Sequence, residues 1–246
     1  MPDLEHSHTF SIQDLKPLIR ENTKLIVINF PHNPTGALIS RSEMDELIAI
    51  ANVKDIRIFS DEMYRFTEQN QTDRLPSVCE LYPMGISLFG LSKSFSLPGL
   101  RVGWLVSKEL PLLEKVKSFK DYTTICGSAP SEILAIIALR AKETILARNR
   151  IIISRNLEIL GDFFEEQKSV FSWYRPIGGT VCFPKLQLDF STDKFCELLM
   201  EKKGVMLLPA SVLGFPSNHF RIGFGRKDMP EVLEKLAEFL LEMGYS

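Results

Sequence analysis

Three short strand-like runs, separated by segments with helical patterning, restrict the fold of this chain more than any other feature. They occupy residues 25–30, 56–60 and 86–91, and the first is rich in β-branched side chains. Because the first run is apolar apart from Asn29, we expect a strand that is covered on both faces. Strands that alternate with helices are typical of α/β proteins, so the sequence predicts an α/β layer with a largely parallel sheet.

The segment after the first run carries the signals of a helix start. Ser40 and Glu43 have the spacing of an N-terminal capping box. The apolar residues that follow recur at helical spacing, at Met44, Leu47, Ile48 and Ala51. The sequence therefore predicts an amphipathic helix that begins just after Ser40.

Polar side chains follow the ends of the predicted strands. Residues 101–106 come too soon after the third run for a helical crossover, so we expect them to return as an antiparallel strand. Asn33, Asp61 and Lys93 each follow a strand end, and Arg101 begins the returning strand. Ligands of open α/β sheets bind beyond the carboxyl ends of the strands. The pattern therefore predicts that these four polar groups share one rim of the sheet.

The second half of the chain is helical at first and then mixed. Its predicted elements are a helical stretch at 130–167 with a break near 149–153, a strand at 181–183, a helix at 192–203, a strand at 220–224 and a last helix from Asp228 to Gly244. We place a domain boundary near residue 160. This divides the chain into a larger domain of residues 1–160 and a smaller α+β domain of residues 161–246.

Composition and charge exclude several classes of partner. The net charge of −2 gives no electrostatic reason to expect nucleic acid or an acidic membrane as a partner. No apolar run approaches the length that a membrane span needs. The first eight residues lack the basic and apolar regions of a signal peptide, and we expect His6 and His8 to be part of a disordered terminus rather than a metal-binding arm.

The four cysteines point to a reducing compartment. Cys79, Cys126, Cys182 and Cys196 are widely scattered, with no C-x-x-C pair and no histidine at metal-ligand spacing. We expect reduced core thiols, no metal site and a cytoplasmic protein.

Four motifs in order resemble those of a known enzyme family. They are Asn33-Pro34-Thr35-Gly36, Asp61-Glu62-Met63-Tyr64, the lysine segment from Ser92 to Arg101, and residues 220–226 around Arg221. Their order and spacing resemble the class I/II aminotransferases, fold type I enzymes that use pyridoxal 5'-phosphate (PLP). The resemblance runs from about Leu25 to the C-terminus. It implies part of the PLP-binding large domain, with a mostly parallel sheet, followed by a small C-terminal domain.

The resemblance implies a role for each residue near the cofactor ring. Lys93 would be the covalent anchor of PLP and the general base, and the end of a buried strand should give it low-polarity surroundings that favour its nucleophilic form. Asp61 would keep the ring nitrogen protonated. Asn33 and Tyr64 would hydrogen-bond the phenolic oxygen of the ring. Glu62 is expected to be a structural acid.

The resemblance also implies anion-binding residues. Ser92 and Arg101 match the positions that bind the cofactor phosphate, although Gly90 stands where many relatives have a serine or threonine. Arg221 matches the arginine that binds the α-carboxylate of the substrate, with Asn33 beside it. The alternative for Arg221 is a structural ion pair with an acid such as Asp189.

The implied reaction transfers an amino group between an α-amino acid and a 2-oxo acid, in amino acid metabolism. Two alternatives remain open. Relatives have a long further segment before the first strand, so the chain would be a catalytically incomplete remnant or one half of a split enzyme, with an unpaired sheet edge and exposed apolar surface. The same residues also serve PLP-dependent lyases, cyclases and oxidases. We expect a homodimer or pairing with an N-terminal half, and no residue selects the amino acid.

Overall fold

The computed structural model describes residues 10–245, which form two compact units. The expectations for the N-terminus, including His6 and His8, lie outside these residues. Unit 1 contains the described residues up to His32, Ala37–Asn149 and Ile177–Gly179. Unit 2 contains Asn33–Gly36, Arg150–Pro176 and the chain from Thr180 onward. The division into domains at residue 160 stays a prediction.

Unit 1 is built from a small sheet and the helices that follow its strands. Its elements are α1 (Ile12–Leu15), β1 (Leu25–Asn29), α2 (Arg41–Val53), β2 (Arg57–Asp61), α3 (Val78–Leu81), β3 (Gly85–Gly90), β4 (Gly103–Ser107), α4 (Leu110–Thr123) and α5 (Ala129–Arg140). Short 3-10 turns occur at Lys16–Leu18, Gln71–Asp73 and Pro98–Leu100. The three expected strands and the expected helix after Ser40 are all present.

The sheet of unit 1 has the order β1-β2-β3-β4. β1 and β2 are parallel, as are β2 and β3, whereas β4 returns antiparallel to β3 with Phe89 opposite Trp104. This confirms the α/β class with a mostly parallel sheet. It also confirms the antiparallel return after the lysine turn. β4, however, begins at Gly103, two residues later than Arg101.

The capping box of α2 is formed as the sequence predicts. The Ser40 hydroxyl accepts from the Glu43 backbone N–H, and the Glu43 carboxylate accepts from the Ser40 backbone N–H. Met44 and Leu47 of this helix pack with Ile58 of the sheet in one apolar core. The capping box thus fixes where the helix begins, and its apolar face holds it against the strands.

The prediction that β1 is covered on both faces is wrong. Ile26 and Ile28 are buried, but Leu25 is 47% exposed and Val27 is 64% exposed. The reason is that β1 is an edge strand with core on one face only within the described part of unit 1. Large apolar side chains are also exposed on and near α4 and α5: Phe119, Tyr122, Ile125, Ile133 and Ile137. The expected sheet edge and exposed apolar surface are therefore present.

The helical stretch after residue 129 breaks at a different place from the one predicted. α5 ends at Arg140 and α6 runs unbroken through Lys142–Glu166, so residues 149–153 are helical. Asn149 does not end the helix because its side chain is buried and hydrogen-bonded elsewhere. The change from unit 1 to unit 2 falls after this residue.

Unit 2 contains short strands and two further helices around its own core. Its elements after α6 are β5 (Phe171–Ser172), β6 (Val181–Cys182), β7 (Lys185–Leu186), α7 (Thr192–Lys203), β8 (Leu208–Pro209), β9 (Phe220–Gly223) and α8 (Met229–Glu242), with a 3-10 turn at Ala210–Leu213. β6, β9 and β8 form a three-stranded sheet with β9 in the centre. Phenylalanines dominate the core, at Phe164, Phe171, Phe195, Phe220, Phe224 and Phe239.

The cysteines differ in their surroundings. Cys79, Cys182 and Cys196 are buried free thiols, and burial raises the pKa of Cys196 to about 12. Cys126 is exposed, so the expectation of a core thiol is wrong there, because it lies in the surface connection between α4 and α5. Within residues 10–245, no helix is long and apolar enough to cross a bilayer.

Candidate active site

The carboxyl ends of β2 and β3 bring two of the predicted residues to one rim of unit 1. Asp61 is the last residue of β2, and Lys93 follows the end of β3 at Gly90. The register pairs Asp61 with Leu88 of β3 and with Asn29 of β1. Because neighbouring parallel strands end at the same edge, the two turns that follow β2 and β3 lie side by side.

Asp61 holds the turn that leads to Tyr64. Its Oδ1 accepts a hydrogen bond from the Met63 backbone N–H at 3.1 Å. Its carbonyl oxygen accepts from the Asn29 side chain at 3.0 Å and from the Phe30 backbone N–H at 3.2 Å. The neighbouring strand therefore holds the Asp61 backbone, and the turn holds its half-buried carboxylate.

Lys93 and Tyr64 face each other across these two turns. The Lys93 Nζ atom lies 5.5 Å from the centroid of the Tyr64 ring, a cation–π distance. Tyr64 is 4% exposed, whereas Lys93 is exposed. The expected low-polarity surroundings of Lys93 are therefore not observed. The turn carries the lysine past the packed end of β3, so the buried strand does not enclose its side chain.

Ser92 and Arg101 lie at the two ends of the loop that carries Lys93. Ser92 is half-buried next to the fully buried Leu91. Arg101 is exposed and adopts the left-handed conformation, with φ of 56°, at the end of the Pro98–Leu100 turn. Its Nη1 donates to the Pro98 carbonyl at 3.0 Å. Arg101 therefore precedes the returning strand β4, whereas the sequence predicted that it would be the first residue of that strand.

Gly90 is required by close backbone approach. A Cβ atom at this position would lie 3.0 Å from the Val102 carbonyl oxygen and 3.1 Å from the Gly103 Cα. These distances are tighter than ordinary van der Waals contact, so a serine here would have to push β3 and β4 apart. The departure from the common family pattern thus has a local structural cause.

Glu62, beside Asp61, is a buried acid with four partners. It accepts from the hydroxyls of Ser77 at 2.7 Å and Ser87 at 2.8 Å, and from the Val78 backbone N–H at 3.0 Å. The Arg65 guanidinium lies 3.4 Å away. These contacts join the turn after β2 to β3 and to the start of α3, as expected of a structural acid.

Asn33 and Arg221 come together in unit 2. The Arg221 Nη1 donates to the Asn33 Oδ1 at 3.2 Å, and both residues are half-buried. Arg221 lies in the central strand β9, opposite Leu208. The peptide bond between Asn33 and Pro34 is cis. The contact of the guanidinium is thus with a neutral amide, which differs from the alternative of an ion pair with Asp189.

Two buried residues beside the site were given no functional role by the sequence. Ser94 follows Lys93 and is 1% exposed, and Asn149 in α6 is 5% exposed. The Asn149 Nδ2 donates to the Ser94 carbonyl at 2.8 Å. An asparagine inside a helical pattern is the signal for such a role, because a buried amide requires a partner.

Comparisons with known proteins agree with these motifs. The family model described as aminotransferase class I and II matches residues 3–240. A PLP-dependent aminotransferase from Streptococcus suis 89-1591 has a similar structure, with a TM-score of 0.87 and 35% identity over 94% of this chain and 61% of that chain.

Two relatives in sequence have different names. Capreomycidine synthase of Streptomyces vinaceus is 27% identical over 98% of this chain and 61% of its own length. An aspartate aminotransferase of Thermotoga maritima is 28% identical over 94% of this chain and 59% of its own length. The chain thus spans about three fifths of the relatives it matches. Since the family model matches almost the whole chain, this protein belongs to the class I and II aminotransferase family.

Proposed function

We propose that the protein acts as a PLP-dependent aminotransferase, which transfers an amino group between an α-amino acid and a 2-oxo acid. The observation that carries the proposal is the placement of the Lys93 Nζ 5.5 Å from the Tyr64 ring, at the strand rim that also holds Asp61. An amine, a phenol and a carboxylate at one sheet edge are the groups that this chemistry needs from the protein.

The donor set of unit 1 fits PLP. Lys93 offers an exposed primary amine for the aldehyde, and Asp61 offers a carboxylate for the ring nitrogen. Ser92 and Arg101 offer a hydroxyl and a guanidinium for the phosphate. When bound, PLP supplies an electron-withdrawing ring that stabilises negative charge at the substrate α-carbon.

Lys93, Asp61 and Tyr64 would each have a different role in the reaction. The Lys93 amine removes the proton from the substrate α-carbon and later returns a proton. Asp61 would keep a proton on the ring nitrogen, and the hydrogen bond from the Met63 N–H holds its carboxylate in one orientation. Tyr64 would donate a hydrogen bond from its phenol to the ring oxygen, and its ring centroid lies 5.5 Å from the Lys93 Nζ.

Asn33 and Arg221 of unit 2 are the proposed substrate side. The Arg221 guanidinium would bind the α-carboxylate of the amino acid, and Asn33 holds the guanidinium through its Oδ1. A half-buried guanidinium whose contact among residues 10–245 is with a neutral amide gains free energy from a ligand carboxylate. The aspartate aminotransferase relative supports small acidic amino acids as the first substrates to test.

A homodimer in the cytoplasm is part of the proposal. Exposed apolar residues on and near α4 and α5, such as Phe119 and Tyr122, support an interface with a second copy or with an N-terminal half. The free, scattered cysteines support a reducing compartment. Nucleic acid and membrane are not proposed as partners.

A second candidate reaction uses the same residues. The similarity to capreomycidine synthase favours a reaction on PLP other than transamination, in the group of lyases, cyclases and oxidases. A chain that folds without catalysing either reaction, as a remnant or as half of a split enzyme, is the further alternative. Product analysis with L-aspartate and 2-oxoglutarate separates these outcomes: glutamate formation supports transamination.

Covalent labelling with PLP tests the cofactor site. The purified 246-residue chain is mixed with PLP, reduced with borohydride and mapped by peptide mass spectrometry. We expect modification at Lys93 and its loss in Lys93→Ala. Lys108→Ala, which removes another exposed lysine of the same unit, is the matched control and should label normally. Specific labelling at a lysine other than Lys93 would overturn the assignment.

A further inference from the structure

Asn149 is an energetically unfavourable residue for its position in the helix. It lies inside the 25-residue helix α6, where asparagine is a poor helix former, and it is only 5% exposed. Burying an amide costs free energy unless both of its ends are hydrogen-bonded. Neither helix stability nor solubility explains an asparagine here.

Both ends of the Asn149 side-chain amide are hydrogen-bonded. Its Nδ2 donates to the Ser94 carbonyl at 2.8 Å, and its Oδ1 accepts from the Arg148 Nη1 at 3.0 Å. A carbonyl accepts only from a donor, so the amide nitrogen must face Ser94. The bond reaches across 55 residues to the residue that follows Lys93.

Ser94 also contacts the turn that follows β2. Its buried hydroxyl lies 3.3 Å from the Met63 carbonyl and in closer contact with the Arg65 carbonyl. These two carbonyls flank Tyr64, the residue that faces Lys93. Asn149, Ser94 and the turn after β2 therefore form one chain of hydrogen bonds around the lysine.

The lysine turn needs such support because it is strained. Ser96, three residues after Lys93, has φ of 55°, in the left-handed region that non-glycine residues seldom adopt. Two backbone hydrogen bonds close the turn, from the Ser96 N–H to the Lys93 carbonyl and from the Leu97 N–H to the Leu91 carbonyl, both at 2.9 Å. A strained backbone persists only where surrounding contacts determine it.

We propose that Asn149 is a positioning residue for Lys93, acting through Ser94. By fixing the peptide after Ser94, it holds the backbone from which the flexible lysine side chain reaches the cofactor and faces Tyr64. The role in catalysis rests on the proposed function, whereas the control of the turn does not. A displacement of the reacting amine by about 1 Å is enough to reduce a rate strongly.

The experiment compares two asparagines of the same helix. Asn156 is 2% exposed, and its Nδ2 donates to the carbonyls of Phe224 and Arg226 in unit 2. Asn149→Asp and Asn149→Ala are paired with Asn156→Asp and Asn156→Ala. The aspartates keep the shape and remove the donor, and the alanines remove the amide without burying a charge. Both positions lose a buried hydrogen bond, so both should lower the melting temperature.

The first readout is hydrogen exchange of the Ser96 and Leu97 amides, which requires no cofactor. We expect roughly tenfold faster exchange in the Asn149 variants, the factor for loss of about one hydrogen bond, and no change in the Asn156 variants. Unchanged exchange in both Asn149 variants would overturn the inference.

The second readout is the rate of PLP labelling at Lys93 under borohydride. We expect a fall of about tenfold in the Asn149 variants relative to the Asn156 variants of equal melting temperature. If exchange rises but labelling is unchanged, Asn149 only stabilises the turn and the positioning role is wrong. If the unaltered chain does not label at Lys93, the proposed function fails instead, and hydrogen exchange still decides whether Asn149 holds the turn.

Discussion

The two units hold their candidate functional side chains in different ways. In unit 1, Asp61 is the last residue of β2, and Lys93 lies in the turn that follows β3. In unit 2, Arg221 lies within β9, which has a hydrogen-bonded strand on each side. A strand residue is positioned by the backbone ladder, but a turn residue is not. Unit 1 therefore needs additional side-chain contacts to hold its turns.

Those contacts come from residues far away in the sequence. Glu62 reaches Ser77 and Ser87, and the turn after Lys93 is held by Asn149. The Arg221 side chain, by contrast, hydrogen-bonds to Asn33 of its own unit. The candidate catalytic turn on the sheet rim thus depends on buried polar side chains, whereas the candidate binding residue in a central strand depends on backbone pairing.

The largest effect that separates the two units is expected at Arg221. Arg221→Ala should raise the L-aspartate concentration that halves PLP labelling of Lys93 by about a hundredfold, because the charge contact between a half-buried guanidinium and the carboxylate is lost. Labelling without amino acid should stay unchanged, since the backbone of β9 and the turns of unit 1 are untouched. Reductive labelling across an L-aspartate series measures both values.

Arg221→Lys is the matched variant, because it keeps the charge and removes the planar fork. An intermediate effect is expected. If Arg221→Ala also prevents labelling without amino acid, then the residue supports the lysine site itself, and the contrast between the units is wrong.

Glu62→Gln should give the next largest effect. In the native protein, the Ser77 and Ser87 hydroxyls and the Val78 N–H donate to the Glu62 carboxylate. The substitution replaces one carboxylate oxygen with an amide N–H₂ group, which cannot accept from these donors. The free energy of unfolding should therefore fall by about 2 kcal/mol. Chemical denaturation measures the change. Glu114→Gln, on the exposed face of α4, is the control and should change it by less than about 0.5 kcal/mol.

Equal stability of these two variants would mean that the turn after β2 does not depend on the buried acid. In that case side-chain contacts would not distinguish unit 1 from unit 2. A loss of stability with normal Lys93 labelling at low temperature would support a purely structural role for Glu62.

The elements whose signals are local could be predicted from the sequence. The capping box of α2, the strand alternation and the antiparallel return after the lysine all depend on residues within one or two turns of each other. The order of motifs identified the family. The strand rim that gathers Asp61 and Lys93 follows from topology alone.

Features that depend on distant partners could not be predicted. The exposure of Leu25 and Val27 depends on what covers the outer face of β1, which the run itself does not encode. Asn149 was interpreted as a helix break because its partner, the Ser94 carbonyl, is remote in sequence. The exposure of Lys93 likewise depends on the path of its turn and not on the apolar strand before it.

Gly90→Ser tests whether backbone packing at the strand rim limits the site. The added Cβ would meet the Val102 carbonyl at 3.0 Å, so we expect a loss of about 1–2 kcal/mol in the free energy of unfolding. Gly99→Ser is the matched control, because a Cβ there has no atom within 4 Å. Denaturation curves of both variants measure the difference. Equal values would show that β3 and β4 separate at little cost.

The smallest effect is expected at the opposite end of β2. A hydrogen-bonded ion pair joins Arg57 to Glu109, with both N···O distances at 2.8 Å. Bonding to the Arg57 guanidinium lowers the pKa of Glu109 below its usual value. The pair therefore stabilises the fold above the usual carboxyl range, and this contribution is lost as the pH falls through the lowered pKa.

Glu109→Gln should reduce the free energy of unfolding by about 0.5 kcal/mol near neutral pH, because the pair is partly exposed. The difference from the unaltered chain should vanish as the pH falls through the lowered pKa of Glu109, where the carboxylate of the folded protein becomes protonated. Denaturation at a series of pH values measures it. Lys93 labelling should be unchanged, because this pair lies at the amino end of β2, away from the turns that carry Asp61 and Lys93. A change in labelling would mean that the whole sheet, and not the local side-chain contacts, positions the lysine.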